Sequence, residues 1–193
     1  MSEANALEAL SEIAFTINSI HEPDVLLEKV LEIAMETLAA ERGFILLTSE
    51  ERPEGFEVKA RRNFTQQQLG DLVRPSAHLS TSIVHEVLHT GEPVLLYEAL
   101  QDARYRETES IVLQQIQSIA CVPLRMRTRQ IGAIYLDSLT KRGRFTRESL
   151  PFLHAFADQA AIALENARLN LGLRRENSRL RQEIQRVHGF EEI

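Results

Sequence analysis

The chain has 193 residues, 44% of them hydrophobic, a formal net charge of −6 and a single cysteine, Cys121. That length suits one core domain with extensions, and the acidic balance argues against a general nucleic-acid surface. One cysteine excludes an intramolecular disulfide and a cysteine zinc cluster, which fits a reducing cytoplasm, and no apolar run approaches the ~20 residues of a membrane span.

Met1 to Ala14 lacks the basic start and apolar core of a signal peptide. Ala4 to Ser19 instead reads as a helix, with Leu7, Leu10, Ile13, Ala14 and Ile17 on one stripe. Asp24 to Ala40 reads as a second helix with Pro23 at its start and Val25, Leu26, Val30, Ile33, Ala34 and Leu38 facing inward. Gly43 to Thr48 is a short apolar strand, Ser49 to Gly55 a polar turn, and Phe56 to Arg62 alternates like a hairpin partner. Asn63 to Leu79 suggests a short helix and then a loop. Thr81 to His89 is a helix stopped by Gly91 and Pro93, Pro93 to Leu96 a strand, and Asp102 to Gln114 a loop with helical turns. Ser118 to Leu124 and Gln130 to Asp137 are strands joined by a short polar turn. Sequential strands with tight turns imply an antiparallel sheet, and helices at both chain ends imply that they cover one face. The fold class is therefore α+β, with about five or six strands.

The last quarter carries the strongest signal. Thr146 is the expected N-cap of a helix with Glu148 in its first turn and Pro151 where no amide donor is needed. From there to Val187 Gly172 is the only breaker. Such a helix is roughly 58 Å long at ~1.5 Å per residue, against about 40 Å for a compact domain of ~150 residues. Leu150, Leu153, Ala157, Ala160, Leu164, Ala167 and Leu171 form one apolar seam suited to the parent domain. Ile162, Asn166, Leu169, Leu173, Leu180, Ile184 and Val187 form a displaced second seam suited to a two-stranded coiled coil. The expectation is a homodimer through terminal helices, with a core domain over residues 1–171 and a coiled-coil linker over 172–193.

Two local patterns invite chemistry. His85-Glu86-Val87-Leu88-His89 matches a zinc-protease motif by letter, but Ile83, Val84, Val87 and Leu88 take the apolar face of that helix, which turns both histidines to solvent. No metal is expected there. Cys121 lies mid-strand in an apolar run, with Ile119 on the same face and Ala120, Val122 and Leu124 on the other; core packing is the ordinary role of such a residue. No paired carboxylates and no Ser-His-Asp or Cys-His arrangement stands out, so no enzymatic activity is expected.

The segments SIACVPL and QIGAIYLD, followed by FTRESLPFLHAFADQAAIALENARL, resemble the GAF domain, a small-molecule sensor module. GFILL and SIVHEVLHTGEPVLL match in order and spacing, so the resemblance spans roughly Ala9 to Leu171. It implies a six-stranded antiparallel sheet with terminal helices on one face and a ligand cavity on the other. On that picture Arg61, Tyr97, Asp102, Arg104, Tyr105, Gln117, Cys121 and Tyr135 are the polar or reactive residues placed to line the cavity. Plainer roles compete: Asp102 as a helix N-cap, Arg104 as a surface residue, Tyr135 packed under helices. The Asn-Lys…Phe…Asp-Glu signature of cyclic-nucleotide-binding members is missing, one cysteine does not suit the methionine sulfoxide reductases of the family, and the wider context of the bilin-binding phytochromes is absent. The ligand, and any cofactor, stays unidentified.

Arg174 to Ile193 resembles the junction before the AAA+ ATPase of bacterial sigma-54-dependent activators, with Phe190-Glu191-Glu192-Ile193 as the opening segment of that ATPase. No phosphate loop occurs in these residues. The resemblance implies a cytoplasmic regulatory piece of a transcription regulator that contacts neither nucleic acid nor membrane itself. Its alternatives are a sensor for a histidine kinase or diguanylate cyclase, or a dimerisation module without a ligand.

Overall fold

The apolar run that opens at Arg42 becomes the organising strand of the molecule. A computed structural model describes residues 11, 13–52, 55–65, 67, 80–103, 115–126, 129–142 and 144–189. Helical residues 13–18 (α1) are followed by α2 (Pro23–Leu38), β1 (Arg42–Thr48), β2 (Phe56–Arg62), α3 (Ser80–Thr90), β3 (Val94–Leu96), β4 (Ser118–Met126) and β5 (Arg129–Ser138). A 3-10 turn (Arg147–Ser149) then leads into α4 (Leu150–Gly189), 40 residues long. The sheet runs β2-β1-β5-β4-β3, and every neighbouring pair is antiparallel.

The sequence offers five apolar runs, and the described residues carry five strands. The sixth strand, which the resemblance implies and the upper count from the sequence pattern allows, has no counterpart among them. Near the tip of the β4–β5 hairpin, Gly132 permits a close backbone approach: a Cβ there would meet the Leu46 carbonyl oxygen at 2.1 Å.

α2 and α4 lie on one face, where Ile45, Leu47, Val122, Leu124, Ile134 and Leu136 meet Leu27, Val30, Leu31, Leu153, Phe156 and Leu164. α2 begins with Pro23, which loses nothing by lacking an amide donor there, and stops at Leu38 because Ala39 turns left-handed at φ 50°. One expected inward residue is corrected. Val25 is 57% exposed, and the inward stripe is Leu26, Leu27, Val30, Leu31, Ala34 and Met35. These six follow the i, i+1, i+4 rhythm of a wide apolar face, which leaves Val25 on the outside.

The two seams of α4 separate as expected. Leu153, Ala157, Ala160, Leu164 and Ala167 are buried against the sheet and α2, whereas Ile162, Leu169, Leu173, Leu180 and Ile184 are exposed. Beyond Leu171 every residue through Arg186 is exposed. The stretch from Arg168 to Gly189 therefore projects roughly 33 Å past the last buried residue at ~1.5 Å per residue. One ion pair, Arg174 Nη1 to Glu22 Oε1 at 3.8 Å, ties the root of this projection to the start of α2.

Candidate functional site

The opposite face of the sheet lies under α3. Strand alternation sends Arg42, Phe44 and Leu46 of β1, Ile119 and Cys121 of β4, and Ala133, Tyr135 and Asp137 of β5 to this side. α3 lays Ile83, Val84 and Val87 over them, and Val94, Leu96, Ala99 and Ile116 complete a continuous apolar cluster. α3 ends at Gly91, whose φ of 69° suits glycine, and Gln130 Nε2 holds the helix end by donating to the Val87 carbonyl at 2.9 Å.

A polar group is set into this apolar face. Arg42 and Asp137 are cross-strand partners. Arg42 Nε donates to Asp137 Oδ1 at 2.8 Å and Nη2 donates to Oδ2 at 2.6 Å, a bidentate pair. The Tyr135 hydroxyl donates to Asp137 Oδ2 at 3.3 Å. The Tyr135 ring stacks on Phe44 with centroids 4.6 Å apart, and Phe44 meets Phe64 edge-on at 5.6 Å. The Arg42 guanidinium lies over the Phe64 ring, 4.6 Å from its centroid. Burial raises the Asp137 carboxyl above its ordinary value, although the Arg42 guanidinium pulls the other way. Burial, then the neighbouring Asp137 charge, pushes the Tyr135 phenol well above its usual range, so it stays a donor at any physiological pH.

Of the residues proposed from sequence, the structure brings two together. Cys121 and Tyr135 are cross-strand partners in the buried cluster. Burial, then the Glu86 charge, pushes the Cys121 thiol far up, which makes it a packing group and not a nucleophile. Arg61 is paired with Phe44 in register but is exposed on the edge strand β2.

The remaining residues lie elsewhere. Tyr97 is 37% exposed just past β3, and its hydroxyl accepts the Arg147 N–H at 2.7 Å, at the turn that opens α4. Gln117 is half-buried beside the end of β5; its Nε2 donates to the Gln115 carbonyl at 3.2 Å and its Oε1 accepts Arg142 Nε at 3.1 Å. Asp102 is half-buried, with its N–H on the Glu98 carbonyl at 3.1 Å. Arg104 and Tyr105 lie outside the described residues. His85 and His89 are exposed, as the helical wheel implies, and His85 rests edge-on against Phe56 at 5.5 Å. Among the described residues no cluster of three metal-ligating side chains occurs.

Sequence reasoning missed Arg42, Asp137, Phe44 and Phe64. A signal was available for the first two: opposite charges stand at the N-terminal end of one apolar strand and the C-terminal end of another, which antiparallel pairing brings side by side.

Comparison with known proteins gives this geometry its relatives. The GAF domain family model matches residues 22–164. The Hybrid signal transduction histidine kinase G of Dictyostelium discoideum is 28% identical over 92 residues, which are 48% of this chain and 3% of that much longer protein. The GAF domain of an Acinetobacter phosphoenolpyruvate-protein phosphotransferase superposes with a TM-score of 0.64 at 19% identity, covering 88% of this chain and 97% of that one. The free methionine-R-sulfoxide reductase of Neisseria meningitidis gives 0.65 at 16% identity, over 88% and 95%. A domain of a two-component sensor histidine kinase from Sinorhizobium meliloti gives 0.60 at 22% identity, over 77% and 94%. At these identities the solved structures speak for the fold alone. With the family model spanning well over half of the sequence, the chain belongs to the GAF domain family.

Proposed function

We propose that this chain is a non-enzymatic, small-molecule-sensing regulatory domain that dimerises through its terminal helices and controls an attached output module, a sigma-54 activator ATPase. GAF domains are signal-sensing regulatory modules, and the observation that carries the finer reading is α4. It begins against the sheet, buries one seam there, and runs on for some twenty residues as an uninterrupted helix with a second apolar stripe uncovered. A change in the sheet has a rigid path outward along such a helix, and a typical coupling of ~1–3 kcal/mol is enough to bias two helix arrangements. The buried group around Tyr135, Phe44 and Asp137 is the polar feature on the face where a ligand would bind. The resemblance of Arg174 to Ile193 to the activator junction supports the sigma-54 output.

A second output, a histidine kinase, is favoured by the Dictyostelium and Sinorhizobium relatives. The full-length protein separates the two: ATPase activity stimulated by sigma-54 polymerase supports the first, and histidine autophosphorylation the second. Light scattering tests the dimer. The wild type should be a dimer, and Leu173→Glu with Leu180→Glu should leave a folded monomer, since each leucine contributes about 1.5–3 kcal/mol of apolar burial. A dimer unmoved by both changes removes the helix as the interface. Native mass spectrometry of the purified chain, read for a co-purifying small molecule, tests the sensing half.

A further inference from the structure

β3 is a three-residue strand, bonded to β4 at the end of the described sheet. Strand alternation gives it two faces. Val94 and Leu96 enter the buried cluster under α3, while Leu95 packs toward the α2–α4 core. Tyr97 continues the helix-side face, where its hydroxyl accepts the Arg147 N–H at 2.7 Å. The turn after it returns to the other side: Ala99 is fully buried in the α3 cluster, and its N–H donates to the Gln117 carbonyl at 2.9 Å. Tyr97 is thus held between two members of the α3 cluster, Leu96 and Ala99, while its side chain ends on the turn that opens α4.

The bond has a chemical reason. The first N–H groups of a helix find no partner inside it. Thr146 and Ser149 serve each other: the Ser149 N–H donates to the Thr146 carbonyl at 2.9 Å, and the Thr146 N–H to Ser149 Oγ at 3.4 Å. The Arg147 N–H is met from outside the turn, by Tyr97. The chain leading to that turn is fixed separately. Ser118 Oγ donates to the Lys141 carbonyl at 3.0 Å, Gln117 Oε1 accepts Arg142 Nε at 3.1 Å, and Phe145 is fully buried. Release of the Tyr97 hydroxyl therefore frees the first turn of the helix and leaves its approach in place. Tyr97 is exposed enough for water to take over both the hydroxyl and the amide. The net worth of such a bond is small, so the bonded and released states lie close in free energy, and a slight displacement of Leu96 and Ala99 selects between them.

Resting on the sensing reading proposed above, we infer that Tyr97 is the positioning residue that couples the α3 face of the sheet to α4, with its hydroxyl as a releasable cap on the Arg147 amide. The two cores lie on opposite sides of the sheet, and this hydroxyl joins a segment of one to the helix of the other. A coupling element needs two discrete states that both ends bias, and the capped and released turns supply them.

NMR of the whole chain, read at the Arg147 amide, tests the inference. Tyr97→Phe keeps the ring and removes the hydroxyl, so Arg147 exchange should accelerate by about two- to tenfold, the ratio that one ordinary hydrogen bond commands. Any structural bond would give that result. Ile83→Ala asks the further question, because Ile83 is fully buried in the same cluster but stands on α3, away from β3 and the linker in sequence. It should accelerate Arg147 exchange by about twofold or more, up to the value in Tyr97→Phe, since displacement weakens the bond at most to its loss. The Arg147 amide shift should move toward its Tyr97→Phe position. Combined with Tyr97→Phe, Ile83→Ala should change neither quantity further. Ile83→Val, a smaller loss, should act in the same direction and serves if the alanine variant does not fold. The Ile134 amide, in the centre of the sheet, corrects each sample for global opening. An Arg147 amide indifferent to both Ile83 variants overturns the coupling, and an equal response with and without the hydroxyl overturns the part assigned to Tyr97. The readout needs no bound molecule. Failure to find a co-purifying molecule therefore counts against the sensing reading alone, and an uncoupled Arg147 amide against the role of Tyr97 alone.

Discussion

Arg42 and Asp137 face each other across β1 and β5, joined by two charge-assisted hydrogen bonds at a place where neither side chain is more than 3% exposed. Removing one partner strands a buried charge, at a typical cost of 3–5 kcal/mol, while a well-packed apolar pair in its place is often neutral or better. Arg42→Ala and Asp137→Ala should therefore each destabilise by about 3–5 kcal/mol. Arg42→Met with Asp137→Leu should recover most of that loss. Urea unfolding of the three variants checks this. A double variant as unstable as the singles would mean that the pair contributes more than mutual neutralisation.

Glu41 acts beside that pair as a polar clamp on the chain leaving β5. Its carboxylate accepts the Ser138 hydroxyl at 2.7 Å, the Leu139 N–H at 3.1 Å, the Thr140 N–H at 3.3 Å and the Thr140 hydroxyl. Partial burial pushes its pKa up, but the hydrogen bonds from Thr140, Ser138 and Leu139 outweigh burial and hold it below the ordinary 4.5. A depressed folded value means that the unfolded chain binds more protons in acid, so the Glu41 contribution is present above pH 4.5 and lost as pH falls through the folded value. Asp137, raised above 3.8 chiefly by burial, runs the other way: its contribution is full below pH 3.8 and declines as pH rises through its folded value. Glu41→Gln isolates the first effect. It should destabilise by about 1–3 kcal/mol at pH 7, the worth of hydrogen bonds to a charged group, and the gap from wild type should narrow below pH 4. Urea titrations at pH 7 and pH 3 measure both differences.

The sequence made the strands and helices legible because their periodicities are strong. β1, β4 and β5 are apolar runs, and the two seams of α4 are spelled out by leucine and alanine spacing. The helical wheel also places His85 and His89 correctly on the wet side of α3. The polar group under α3 was less legible, since it depends on which strands become neighbours. Arg42 and Asp137 are 95 positions apart and meet only through the β1–β5 register. Tyr97 and Gln117 looked like cavity residues because they flank strands. The structure uses Tyr97 to hold the Arg147 amide at the start of α4, and Gln117 to bridge Gln115 and Arg142. Residue type alone cannot distinguish such connecting roles from ligand binding.

Cys121 is fully buried among Tyr135, Val94 and α3, and its thiol is held protonated by burial. A thiol reagent should reach it only when the fold opens, so modification should track global unfolding and accelerate in urea along the unfolding curve. Cys121→Ser, which places a hydroxyl in an apolar site, should cost about 1–3 kcal/mol. Rapid stoichiometric labelling of the native chain would show that α3 opens independently of the core.

His85→Ala with His89→Ala should change stability by within ~0.5 kcal/mol, apart from the loss of the edge contact between His85 and Phe56. Among the described residues neither histidine has the converging ligands that a bound metal ion requires, and Thr90 and Gly91 close the helix directly after His89. Metal analysis of the purified wild type should find no stoichiometric zinc. A metal present in the wild type and lost in the double variant would overturn this reading.

Gly172 stands in the middle of α4, just past Leu171, the last half-buried residue of the helix, and a Cβ added there would meet nothing within 4 Å. Glycine in a helix interior costs roughly 1 kcal/mol against alanine, so the wild-type helix has its weakest point at the root of the projection. Gly172→Ala should strengthen that turn without touching the core, because the buried seam ends at Ala167. Two measurements separate the effects. Amide exchange across residues 170–176 should slow by several-fold, as about 1 kcal/mol of added local stability implies, while the unfolding midpoint of the sheet should stay unchanged. If α4 carries the signal outward, the same substitution should shift the basal output of the full-length protein, since it stiffens the joint through which any rearrangement of the sheet must pass. An exchange profile identical to wild type would show that the projecting helix is already held rigid at this point by a contact outside its own chain.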